Sequence, residues 1–231
     1  MSQNLLSYVA TIDPVVASIA ATAPSIDVAE ARRSLVDRST AMRIVDMYLD
    51  EALELLRKLD IVPLGIDKAR EVAYAICGTS AVELGSFGIE IPQHSLRNEI
   101  CTDLVGYIHT HPVPLPIPTP EDAVSSYQLR SRVECIATKV DGHGIATCIE
   151  VDDVGAWMEV TKVVEDMSEK VVESPRYVVV GDDNGIFLLP YPDKSFAIEL
   201  TREFVRRMRA VARTRMIVVD IEKSVYEISE E

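Results

Sequence analysis

Two histidines stand one residue apart in "HTHPVPLPIPTPED", His109 to Asp122, and this stretch holds five of the chain's twelve prolines. In an extended segment alternate side chains point the same way, so His109 and His111 can offer both imidazoles to one ion. Proline fixes its own φ and biases the preceding residue toward extended geometry, which makes the route from His111 to Asp122 a stiff, non-helical connector. Thr119 and Pro120 read as the N-cap and first residue of a helix, so Asp122 falls in its first turn, where a carboxylate oxygen can be aimed back at the same point. Two imidazoles and one carboxylate suit zinc, and zinc hydrolases leave the fourth position to water. Thr119 sits at the turn between these ligands, where a hydroxyl could face a substrate carbonyl.

The elements that must position these residues follow from pattern. "TDLVGYIHTH" is an apolar strand running directly into the histidines, and "TPEDAVSSYQLRSR" opens as a helix. "VECIATKV" and "IATCIEV" flank the turn "DGHG" and predict a strand pair. Upstream, "EVAYAICGTSAVELGSF" is β-rich and punctuated by Gly78 and Gly85, and "FGIEIPQHS" continues extended. From Asp27 to Leu59 apolar residues recur at three- and four-residue spacing, which predicts one long amphipathic helix or two shorter ones, ended by Pro63 and Gly65. Residues 1–24 give no clear pattern. After residue 155 the order is a helix from Trp157, a hairpin around Asn184-Gly185, a basic helix ("FVRRMRAVAR") and a last strand, "RMIVVDIE". Strands interleaved with helices indicate an α/β protein with a mixed β-sheet flanked by helices.

The zinc-ligand window resembles the signature of the JAMM (MPN+) metalloprotease family, H-x-H-P-x6-S-x-x-D. It reads His109-Thr110-His111-Pro112, six residues, then Thr119-Pro120-Glu121-Asp122, with threonine in place of serine. The resemblance implies zinc ligands His109, His111 and Asp122, with Thr119 at the position that stabilises the oxyanion. It also implies an upstream glutamate as general base in a segment like E-x-x-G-x-L-x-G. "EVAYAICG" fits with Tyr74 at the first glycine, which makes Glu71 the expected base and Glu83, Glu90 and Glu99 its rivals. The family fold is an MPN/JAMM core like that of cytidine deaminases, and the match spans about residues 46–155. Residues 1–45 are then expected as an N-terminal helical extension and 156–231 as a C-terminal α/β extension. The implied function is a Zn2+-dependent isopeptidase cutting after the C-terminus of a ubiquitin-like protein. Processing of a sulfur-carrier protein or small peptide is the alternative within hydrolases, and a non-catalytic MPN scaffold the alternative outside them.

Bulk composition narrows the partners. A formal net charge of -14 argues against a nucleic-acid or anionic-membrane binder, and no apolar run approaches the length of a membrane span. The N-terminal stretch lacks a basic n-region and carries Asp13 inside its apolar run, so it is not read as a signal peptide. Four cysteines lie far apart with no CxxC, which favours reduced thiols in a cytoplasmic protein over a cysteine-based metal site. His94 and His143 fall outside the motif and are expected in exposed loops. The basic run near residue 206 is read as a solvated face.

Overall fold

The computed structural model of the chain describes residues 8–88 and 101–229. In chain order these form α1 (Tyr8–Thr22), α2 (Val28–Ala31), β1 (Leu35–Asp37), α3 (Arg38–Val45), α4 (Leu49–Lys58), β2 (Glu71–Cys77), β3 (Ser80–Phe87) and β4 (Leu104–Thr110). There follow α5 (Pro120–Gln128), β5 (Val133–Val140), β6 (His143–Glu150), α6 (Trp157–Val171), β7 (Arg176–Asp182), β8 (Gly185–Pro190), α7 (Lys194–Met208), β9 (Arg213–Asp220) and β10 (Val225–Ser229). The chain is thus a mixed α/β protein. Seven strands make one sheet in the order β10-β9-β6-β5-β4-β2-β3, and three make a second in the order β1-β7-β8. In the large sheet β4 and β5 run parallel, joined through the proline loop and α5, while the other neighbours pair antiparallel.

Alternation along the central strands decides what each face of the large sheet carries. Ile108, Cys135 and Ala137 face α1, whose Ile12, Val16 and Ala20 complete one apolar cluster. Gly144 lets α1 lie close on β6: a Cβ there would come 2.6 Å from the Ala20 backbone. Beyond the opposite face, α6 and α7 pack between the two sheets. Trp157, Val160 and Met167 of α6 and Phe204 of α7 share a core with Ile149 of β6 and with Val178 and Val180 of β7. Tyr177 and Val179, the alternate residues of β7, face α3 and α4 instead, against Ile44 and Leu56. Fully burying a side chain of this size contributes roughly 1.5–3 kcal/mol, so these clusters dominate what holds the layers together. Among the described residues no helix is long and apolar enough to cross a membrane.

Two expectations are corrected. The stretch from Asp27 to Leu59 is not one or two helices: a three-residue strand, β1, interrupts it, and two of the helices are short. Leu35 and Val36 satisfy a helical period, but β1 pairs antiparallel with β7, and Asp37 accepts from the Thr40 backbone as the N-cap of α3. The cysteines are not reduced thiols. Cys135 and Cys148 oppose each other directly across the β5–β6 ladder, and Cys77 at the end of β2 meets Cys101 ahead of β4. Each pair is a disulfide, 13 and 24 residues apart in the chain, which leaves no free cysteine.

Among the described residues the other expected strands and helices are present in the expected order, with β10 added by a turn at Ile221–Ser224. The α1 helix from residues 1–45 and the α7, β9 and β10 elements from 156–231 pack on or pair within the sheet that carries β4–β6. The segment "IEIPQHS" and the residues Glu90, His94 and Glu99 lie outside the described residues, within 89–100. His143 is half-buried at the start of β6, where Lys194 Nζ donates to its Nε2 and its Nδ1 donates to the Asp141 carbonyl. The basic stripe of α7 is partly neutralised, since Glu203 accepts from both Lys170 and Arg207.

Candidate metal centre

The parallel β4–β5 pair sets the site, because a chain crossing over between parallel strands leaves a crevice outside their carboxyl ends. Gly106 allows the two strands to close: a Cβ there would lie 1.9 Å from the Val133 carbonyl oxygen. His109 is the penultimate residue of β4, and the His111 backbone extends the ladder by donating to the Ala137 carbonyl at 2.9 Å. The proline loop then folds back over the strand ends. Thr138 Oγ1 holds it by reaching the His111 and Val113 carbonyls at 3.0 and 2.7 Å.

Each histidine is oriented from behind. His111 Nδ1 lies 2.7 Å from the Leu115 carbonyl, which can only accept, so Nδ1 carries the proton and Nε2 is left to face the crevice. His109 Nδ1 lies 2.8 Å from Glu134 Oε1, and the other oxygen of Glu134 accepts from Ser126 Oγ. The two Nε2 atoms therefore point at each other, 3.1 Å apart. Asp122 Oδ2 lies 3.6 Å from the first and 3.7 Å from the second.

Asp122 is fixed by the helix start that sequence predicted. Thr119 caps α5 in a reciprocal box: its backbone N–H and its hydroxyl donate to Asp122 Oδ2 at 2.7 and 2.8 Å, while its oxygen accepts from the Asp122 backbone. Thr119 is exposed at the rim, whereas His109 and His111 are 6% and 7% exposed. The three expected ligands thus converge, and among the described residues they are the group of this kind that could hold a metal ion.

Charge follows from the same contacts. Burial opposes a proton on His109, but the carboxylates of Asp122 and Glu134 outweigh it and hold its pKa well above the usual histidine range. Burial likewise opposes charge on Asp122, and the facing His109 and His111 hold its pKa well below the usual carboxylate range. Glu134 is pushed up by burial, a shift that His109 and Ser126 partly offset. A cation at the focus of the two Nε2 atoms and Oδ2 would satisfy all three at once.

The surrounding cleft, about 490 Å³, is also lined by Glu71, Ala73 and Tyr107. Glu71 opens β2, and Ala73 is the register partner of His109, so Glu71 shares the face of Ala73 that carries the histidines. Glu83, its rival, is exposed on β3 opposite Tyr74 and does not line the cleft. Sequence reasoning missed Glu134 and Ser126. The signals were present: Glu134 is a lone acid in a run whose neighbours are buried apolar residues, and Ser126 follows Asp122 by four, on the same face of α5. The chain has no match among protein-family models, curated proteins or solved structures.

Proposed function

We propose that the chain is a zinc-dependent hydrolase on a JAMM-like core, cutting the amide bond after the C-terminus of a ubiquitin-like protein. The observation that carries this reading is the convergence of His109 Nε2, His111 Nε2 and Asp122 Oδ2, each backed by its own hydrogen bond. A tetrahedral ion with bonds of about 2.0–2.1 Å separates its ligands by about 3.3–3.4 Å. The distances of 3.1, 3.6 and 3.7 Å bracket that value, so the donor set fits zinc in both chemistry and size.

Bound zinc supplies a Lewis acid for the scissile carbonyl and lowers the pKa of its water toward about 7. The chain's residues do the rest. Glu134 Oε1 and the Leu115 carbonyl keep both imidazoles presenting Nε2, the arrangement by which a carboxylate–histidine pair orients a ligand. Glu71, on the same strand face as the histidines, takes the proton of the attacking water and returns it to the leaving amine. Thr119 gives its hydroxyl hydrogen to Asp122 Oδ2, which positions that ligand, and an oxyanion role requires turning the same hydrogen toward substrate. Neither face of this chemistry calls for nucleic acid or membrane.

The test is incubation of zinc-loaded protein with conjugates of ubiquitin-like and sulfur-carrier proteins, with and without chelator. Chelator-sensitive release of the free carrier is the expected result. Zinc bound at one per chain with no conjugate cut would overturn the isopeptidase reading and leave the metal site standing.

A further inference from the structure

Beside the metal-site cleft lies a second chamber of about 290 Å³, and the two share Glu71, His111 and Thr119 as wall residues. Apart from these three and Ser168 its wall is apolar, and four of the wall residues are prolines. Prolines hold the backbone in one conformation, so the chamber is shaped before anything enters it. Leu115 and Ile117 in its floor belong to the largest apolar core, and Val171 and Leu189 pack against that core from α6 and β8. The same loop that presents His111 is therefore one wall of the chamber, and the segment after residue 155 is the other.

We infer that this chamber is the specificity site of the metal centre, and that it takes an aliphatic or aromatic side chain on a residue directly flanking the scissile amide. The inference rests on the hydrolase reading above. Three shared wall residues make the chamber the cleft's immediate neighbour. Successive residues of an extended substrate are only about 3.3 Å apart, so a residue beside the scissile amide is the one argued to reach it. Wall chemistry fixes the class. Apart from the three residues it shares with the cleft, the wall offers a charged side chain only Ser168, whereas leucine or phenylalanine replaces water favourably. Glycine at that flanking position would leave the chamber filled only with water. The substrate class is thus an amide with a bulky apolar neighbour.

The test has a binding arm and a turnover arm, both on the full chain. In the first, N-acetyl-leucinamide and N-acetyl-glycinamide are titrated separately while the methyl resonances of Leu115, Ile117 and Leu189 are followed by NMR. The leucine amide should shift these methyls and the glycine amide should not. In the second, zinc-loaded protein is given peptides that differ only in leucine or glycine at each flanking position. A preference for leucine of at least about tenfold in kcat/KM is expected at one of the two positions, the scale on which apolar pockets discriminate. Leu189→Trp and Ser168→Phe should each fill the chamber and reduce that preference to near unity. Ser168 is the safer site, because its Oγ donates to the Val164 carbonyl within its own helix. Cleavage indifferent to the flanking residue, or a preference that survives both variants, overturns the inference and leaves the hydrolase reading intact. Selective binding of the leucine amide without cleavage of any peptide upholds the chamber and overturns the hydrolase reading.

Discussion

The two faces of the β4–β5 pair are built from residues one position apart, yet they obey opposite rules. Ile108 and Cys135 face α1 and are fully buried among apolar side chains. His109 and Glu134, their chain neighbours, face the crevice and are almost as buried, at 6% and 5% exposed. On the first face burial is itself the stabilising term. On the second it is a cost, offset only because every charge finds a partner: Glu134 has His109 and Ser126, and Asp122 has Thr119 and both imidazoles. A one-residue slip in register would exchange the two sets, so the packed face also fixes where the chemistry points.

That contrast can be broken from either side. The largest effect is expected for Glu71→Gln, which removes a proton acceptor while leaving both the ligands and the α1 face in place. Turnover should fall by about 10²–10⁴, the range for a general base, with zinc content unchanged. Ile108→Ala attacks the packed face instead. It should lower the free energy of unfolding in urea by about 2–5 kcal/mol, with no change in zinc bound per folded molecule. Glu134→Gln is its mirror image on the polar face: zinc affinity should fall by about 10- to 100-fold, as for loss of a carboxylate behind a metal-binding histidine. Similar zinc affinity in the Ile108 and Glu134 variants would erase the distinction between the faces.

A gentler probe is pH. A proton on His109 competes with metal, and its pKa lies well above 6.5 because the neighbouring carboxylates outweigh burial. Zinc affinity should therefore be level above that raised pKa and decline as pH falls through it, starting well above 6.5, by about tenfold per unit for one displaced proton. Titration calorimetry across pH, with a competing chelator, measures this directly. A decline that begins only below 6.5 would mean that Asp122 and Glu134 do not act on His109 as their distances indicate.

How much of this was legible in the sequence depended on how local the signal was. The histidines, the stiff loop and the start of α5 are neighbours in the chain, and the Thr119–Asp122 cap was readable from spacing alone. The role of the loop was only half legible: its stiffness could be read, but not that Leu115 would turn its carbonyl onto His111. Glu134 was missed because its partner lies 25 residues away, across a parallel pairing that no local pattern announces. The same holds for β1, whose three residues fit a helical period until β7 supplies a partner. It holds for the cysteines too, which become neighbours only once the ladders form. The turn before β10 escaped notice for a different reason: Ser224 adopts φ 55 there, a conformation that glycine would have advertised.

The central claim is that His109, His111 and Asp122 form one metal site, and metal analysis of purified variants tests it most directly. Wild-type protein dialysed against buffered zinc should hold one zinc per chain. His109→Ala and Asp122→Asn should each lose most of it while keeping the wild-type circular dichroism, since Asp122→Asn preserves the size of the capping side chain. Full zinc occupancy in both variants, at the same affinity as the wild type, would contradict the account.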